Sequence, residues 1–304
     1  MKSNQKRTRI RETRADRITL WIFYALLLLI GIITLYPVIF VVSASFSEPT
    51  AVNDGSVILW PVGFQIEGYQ YIFENDWILT GYRNSLFYMV TGTLLDVAVT
   101  FFAAFALARK NLYGRAVLNW YMIIPMWFGG GLIPTFIVVN NLGLVDTWWV
   151  LIILGAFSTY NFIICRTFIM TSIPYELQEA AIIDGCTDFG ILFKVVLPMS
   201  MPIIAILCLY YGLGHWNDYF TGLIYVNARD KQPLQVFLRE ILIQNAEMEI
   251  SGDVDELEAM MRRMRMSQTM RYGLIVVSSL PMLMIYPFVQ KYFVQGVLIG
   301  ALKG

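Results

Sequence analysis

Most of this chain is too apolar to do chemistry, so the polar residues that interrupt it carry the argument. Of 304 residues, 57% are hydrophobic and 14% are charged. One interruption is the stretch 174–202, PYELQEAAIIDGCTDFGILFKVVLPMSMP, which carries Glu176, Glu179, Asp184, Asp188 and Lys194. A carboxylate such as Glu179 on a short exposed helix can pair with an arginine of a partner. Ala180 and Ala181 beside it are small enough to let a partner's backbone come close. A second interruption is His215-Trp216-Asn217-Asp218-Tyr219, with Asp96 in a separate apolar stretch. Aromatic faces next to an amide and carboxylates suit an oligosaccharide, whose rings stack and whose hydroxyls need hydrogen-bond partners. The same cluster suits an aromatic belt at a membrane surface, and both readings stay open. Within the cluster, Asn217 is the candidate pathway residue, Trp216 and Tyr219 are packing or stacking neighbours, and Asp218 is a partner for a cation such as Arg271. Asp96 must face a helix bundle or a pathway, because a carboxylate against hydrocarbon is costly.

Other chemistries lack their residues. No GxxxxGK[ST] loop is present to cradle a nucleotide phosphate, and neither HExxH nor GxSxG occurs. A lone histidine cannot build a multi-histidine metal site, so no metal site and no catalytic residue is assigned. Lys+Arg and Asp+Glu balance at 22 each, which gives no electrostatic case for nucleic acid.

The elements that position these residues follow from capping and hydropathy. Ser172 is placed to cap a helix entered through Pro174 and running over 175–183, with Asp184-Gly185 as its stop. A second short helix fits 188–196, closed by Leu197-Pro198. The hairpin could dock a partner or lie as an amphipathic helix on lipid headgroups. Six membrane spans are expected at about 18–46, 85–108, 116–139, 147–167, 201–226 and 272–293. The first has no charged residue from 18 to 47. Val42-Ser43-Ala44 could pass for a signal-peptide cleavage site, but the apolar run is too long for one, so it reads as a retained anchor. Gly129-Gly130-Gly131 between Pro125 and Pro134 reads as a close-packing site or a pore-lining break in the third span.

Loop charges set the orientation. The basic tail 1–17, the Arg109-Lys110 to Arg115 loop, the hairpin and the end of the chain belong to the cytoplasmic side. The acidic segment 48–76, the turn 140–146 and the loop 227–271 belong outside, with both termini cytoplasmic in a multi-pass cell-membrane protein. Within the last loop, 253–265 (DVDELEAMMRRMR) reads as a helix with a methionine face for a partner. Cys165, Cys186 and Cys208 have no secretory spacing and read as reduced thiols.

The hairpin spelling carries a resemblance. Glu179-Ala180-Ala181, Asp184-Gly185, Leu197-Pro198 and Pro202 resemble the EAA loop of ABC importer permeases, in the maltose-type carbohydrate branch. Cys186 departs from the alanine usual there. Arg83-Asn84-Ser85-Leu86 and Ala104-Phe105-Ala106-Leu107-Ala108-Arg109 look like the second span of that family's core. Gly129–Thr135 (GGGLIPT) is similar to an LplC-like subgroup that takes in complex oligosaccharides. The end of the chain, from Gln290 to Gly304, resembles the family's C-terminal tail.

The resemblance implies an all-α membrane protein with six transmembrane helices of the type I ABC importer (MetI-like) fold and a cytoplasmic EAA coupling hairpin. It implies a bacterial cell-membrane subunit that moves a sugar by alternating access. Glu179, Ala180, Ala181, Asp184, Gly185, Leu197 and Pro198 would dock an ATPase dimer, with Lys303 and Gly304 as a further contact. ATP and magnesium would belong to that ATPase, with no cofactor in this chain. A second, homologous permease and an extracytoplasmic sugar-binding protein would complete the system. The rival readings are a membrane enzyme acting on lipid-linked sugar through Asp96 or Asp218, and a permease of the same fold for a non-sugar substrate.

Overall fold

The computed structural model describes residues 13–243, 268–287 and 290. The expected helix at 253–265 and the tail residues Lys303 and Gly304 lie outside the described residues. Those described form helices and loops, with no strand among them.

Helix α1 (Arg14–Ser45) begins at a capping box in which Thr13 Oγ1 accepts from Asp16 N at 3.2 Å and the Asp16 carboxylate accepts from Thr13 N at 3.1 Å. It continues through Pro37, and its leucine- and isoleucine-rich faces are exposed along most of its length. Only its last turn is buried, under the segment that returns over it. Ser43 Oγ donates to the Leu59 carbonyl at 2.6 Å, and Tyr69 Oη to Ser45 Oγ at 2.8 Å. The short helices α2 (Pro49–Asn53) and α3 (Glu67–Glu74) lie in that segment.

Helix α4 (Asp76–Ala108) is the axis of the molecule. It begins nine residues before the expected start at 85, because Asn75 caps it by accepting from Trp77 N and Ile78 N. The last of the added residues, Asn84, and Ser85 and Tyr88 just after it bind the loop 230–234. Asn84 Nδ2 donates to the Asp230 and Gln232 carbonyls, Tyr88 Oη donates to the Lys231 carbonyl, and Ser85 Oγ accepts from Leu234 N.

Three expected spans are interrupted. The third is carried by α5 (Arg115–Ile123), a 3-10 turn (Ile124–Met126) and α6 (Leu132–Asn141), parted by the glycine run. The fourth is α7 (Trp148–Ile153) and α8 (Thr159–Ser172), because Ser158 starts a new helix by accepting from Asn161 N at 3.4 Å. The fifth is α12 (Met201–Trp216) and α13 (Phe220–Tyr225). Asn217 Nδ2 bonds back to the Leu213 carbonyl and Asp218 accepts from Thr221 N, so local side-chain bonds replace the helical ladder there. The 3-10 turn Arg229–Lys231, α14 (Leu234–Ile243) and α15 (Gln268–Pro287) follow. Among the described residues, α1, α4 and α15 are unbroken helices long and apolar enough to cross a membrane.

Helices α8, α12 and α14 pack on α4. The largest core joins Phe101, Phe105, Phe162, Ile169, Ile191 and Leu207, tying the hairpin to the spans. The cysteines are free.

Candidate functional site

The hairpin is built from α9 (Tyr175–Ile183), α10 (Asp188–Ile191), a π-helical turn (Leu192–Val196) and α11 (Leu197–Met199). Ser172 does not cap α9. It is the last residue of α8, and Pro174 holds the N-cap position without a side-chain bond. Gly185 ends α9 at φ +78°, a conformation that side chains resist, with its N–H on the Ile182 carbonyl at 3.0 Å. Thr187 then caps α10 by accepting from Gly190 N at 3.2 Å. Pro198 supplies no N–H, and the segment Asp188–Met199 meets α12 at a bend of 80°.

The two alanines divide their work. Ala181 is buried in the core with Ile191 and Val196, while Ala180 is exposed beside Glu179, Asp184 and Gly185. Leu197 is half-buried and Pro198 exposed at the far end of the hairpin. Apolar side chains flank the exposed carboxylates: Ile183 is 85% exposed and Phe189 71%. A charged patch with uncovered large hydrophobic residues is the composition of a docking face. Two contacts tie this knob to the end of α4. Arg109 forms an ion pair with Asp188, and Lys110 Nζ sits 4.5 Å from the Tyr175 ring centre. Neither contact is visible in the spacing of the sequence, since each joins residues that are far apart along the chain.

The second cluster divides as well. Asp96, 1% exposed, meets His215 Nε2 at 2.7 Å. A cavity of about 340 Å³ lies beside this pair, between α4, α7, α8 and α12. Its polar lining includes Asp96, Ser158, Asn161, Tyr211, His215 and Asp218. Tyr211 Oη lies 2.6 Å from Thr100 Oγ1 and accepts from Ser158 N at 3.1 Å, which ties α12 to α4 and to the start of α8.

Trp216 points the other way. It is 2% exposed, its ring stands edge-on to Tyr82, and its indole N–H donates to the Ser278 carbonyl at 2.9 Å. Asn217 is exposed and spends its amide on Leu213. Arg239 covers the Tyr219 ring at 4.8 Å and bonds its hydroxyl. Asp218 accepts from Thr221 N in the first turn of α13 rather than meeting Arg271, whose guanidinium lies over Tyr272. His215 is the residue that reading by spacing passed over: being alone, it made no metal site, and its partner stands 119 positions away. No group of acidic, histidine or cysteine side chains among the described residues could hold a metal ion.

Comparison with known proteins gives a consistent result. Residues 78–298 match the family model described as binding-protein-dependent transport system inner membrane component. The polygalacturonan/rhamnogalacturonan transport system permease protein YtcP of Bacillus subtilis (strain 168) is 40% identical over 283 residues, 93% of this chain and 97% of that one. Protein LplC of the same organism is 38% identical over 275 residues, 90% of this chain and 91% of that one. Among solved structures, one chain of a bacterial ABC transporter involved in the import of the acidic polysaccharide alginate superposes with a TM-score of 0.83. Its identity is 32%, and the match covers 94% of this chain and 100% of that one.

Proposed function

The chain belongs to the family of binding-protein-dependent transport system inner membrane components, a transport subunit and not an enzyme, and from that premise we propose that it is the permease of an ATP-driven importer of oligosaccharides. The names of its relatives, for polygalacturonan/rhamnogalacturonan and for the acidic polysaccharide alginate, support an acidic polysaccharide fragment as the cargo. The exposed hairpin carries the reading. Glu179, Ala180, Asp184 and Gly185 stand beside uncovered Ile183 and Phe189, a surface suited to a separate ATPase dimer that holds ATP and magnesium. The cytoplasm lies on the hairpin side, with both termini there. A second, homologous permease and an extracytoplasmic sugar-binding protein complete the assembly.

Transport proceeds by alternating access, as two permease halves rotate and open the path on one side and then the other. Concentrating a sugar 1,000-fold costs about 4 kcal/mol, at about 1.4 per decade, within reach of ATP hydrolysis. Closure of the ATPase moves α9 and α10. Arg109 on Asp188 and Lys110 on Tyr175 pass that movement to α4, and Asp96 on His215 links α4 to α12 beside the cavity. The sugar path runs along this cavity, with Asp96 and Asp218 on its wall, and Asn217 and Tyr219 flank Asp218 along the chain.

The test is uptake of labelled oligogalacturonides and of neutral malto-oligosaccharides in cells that make the full transporter, alongside Glu179→Lys and Gly185→Val. The parent should take up the acidic sugar. Both variants should insert at normal levels and hydrolyse ATP without uptake. Normal transport by both variants would refute the docking role, and uptake of neither sugar by the parent would refute the cargo.

A further inference from the structure

Three guanidinium groups gather at the C-terminal turn of α4. Arg115 Nε and Arg166 Nε both donate to the Leu107 carbonyl, at 2.9 and 3.3 Å, and Arg109 follows two residues later. Of these three, Arg109 alone has an ion pair among the described residues, with Asp188. The negative end of the helix accounts for one bond from each of the other two. It does not account for the rest of Arg166. A guanidinium has five N–H donors in a rigid fork, and those on the Arg166 Nη atoms meet no acceptor among the described residues. Arg115 adds only a weak 3.5 Å contact to the Met170 sulfur.

Arg166 lines an open cleft of about 600 Å³ between α5, the turn after it and α8. The other walls include Trp120, Ile124, Trp127 and Phe128, of which Trp127 is 76% and Phe128 78% exposed. The exposed apolar surface continues onto Val117 and Tyr121. The cleft is therefore cationic at one end and apolar along its flank. A soluble anion would satisfy the guanidiniums and leave the aromatic flank uncovered. A molecule with an anionic head and hydrocarbon chains satisfies both.

We propose that this cleft binds an anionic glycerophospholipid, with its phosphate on Arg166 and Arg115 and an acyl chain along Trp120, Trp127 and Phe128. The planar fork of arginine suits two phosphate oxygens at once, which a lysine cannot match. The site is separate from the sugar cavity and does not depend on the identity of the cargo.

The test uses the purified full transporter in detergent, titrated with phosphatidylglycerol or phosphatidylcholine and read by native mass spectrometry. The parent should retain phosphatidylglycerol in preference. Arg166→Gln should weaken that lipid about tenfold, the scale of a hydrogen bond to a charged group, and weaken phosphatidylcholine less, because its choline cation already offsets the phosphate. Because Arg166 also holds Leu107, Arg166→Lys keeps a cation for the helix end and should still lose most of the preference. Trp127→Ser, which leaves both cations in place, should weaken the lipid too. Equal retention of the two lipids by the parent, or parental affinity in Arg166→Gln and Trp127→Ser, would overturn the proposal. Displacement of the lipid by millimolar inorganic phosphate would also overturn it in favour of a soluble anion, and so would retention of neither lipid by the parent.

Discussion

His215 owes its position to a missing side chain. A Cβ on Gly92 would lie 2.3 Å from its Nε2, so α4 and α12 can hold the Asp96–His215 pair only where α4 has a glycine. Gly92→Ala should push the ring off Asp96, at about 1–3 kcal/mol of overpacking. His215→Leu alone leaves the buried Asp96 carboxyl group without its hydrogen-bond partner, at about 1–3 kcal/mol, whereas Asp96→Leu with His215→Leu removes both polar groups and should cost much less. Thermal unfolding of the three variants in detergent checks this, and equal losses in the single and double variants would refute the pairing argument. Asn217 sits differently, exposed and bonded only to its own helix. Asn217→Ala should lower sugar uptake at matched membrane level and leave ATPase binding intact. A parental uptake curve would return this end of the cluster to an interfacial belt.

At the scale of elements, the junction between α4 and the hairpin is the place where motion must cross. In the Arg109–Asp188 pair the arginine is 17% and the aspartate 74% exposed, so water screens the carboxylate and the pair contributes on the order of 1 kcal/mol. Asp188→Asn should therefore leave the melting temperature nearly unchanged and still raise the ATP hydrolysed per sugar imported. The exchanged pair, Arg109→Asp with Asp188→Arg, should recover part of the coupling. Unchanged stoichiometry in Asp188→Asn would leave Lys110 on Tyr175 and the shared core as the link. The π-helical turn beside it, Leu192–Val196, precedes a proline that cannot donate to the ladder and a bend of 80°. A stiff span gives way here to a knob held by side chains, which suits an element that has to be moved.

For the whole molecule, the loop charges make a prediction about sidedness. A cysteine at Ser56, in a chain lacking Cys165, Cys186 and Cys208, should react with an impermeant thiol reagent in intact cells, and one at Ser3 should not. The reverse pattern would invert the chain in the membrane and remove the hairpin from the ATPase. The segments assigned outside are also joined to one another. Asp146 in the 140–146 turn accepts from Asn227 N and Ala228 N through its carboxylate, and its carbonyl accepts from Lys231 Nζ. Asp146→Ala should loosen this clasp and lower stability by about 2 kcal/mol, the order of hydrogen bonds to a charged group.

Local signals in the sequence determined what depends on neighbours along the chain. The apolar runs indicated helices, Asp184-Gly185 marked the end of α9, and the hairpin spelling pointed to the permease family. The interruptions at 127–131, 154–158 and 217–219 were harder to read. Hydropathy averages over a window, whereas the Ser158 cap and the Asp218 bond to Thr221 N each act through a single hydrogen bond. Only the tertiary structure decided which polar residues face which cavity. Trp216 and Asn217 are neighbours in sequence, yet one is sealed in the core and the other is open. The chain closes Asp96 onto His215 and Arg166 onto the end of α4 across separations of 119 and 59 residues. Burying a charge is tolerable only beside its partner, and that partner is set by how the helices pack, which no local pattern of residues encodes.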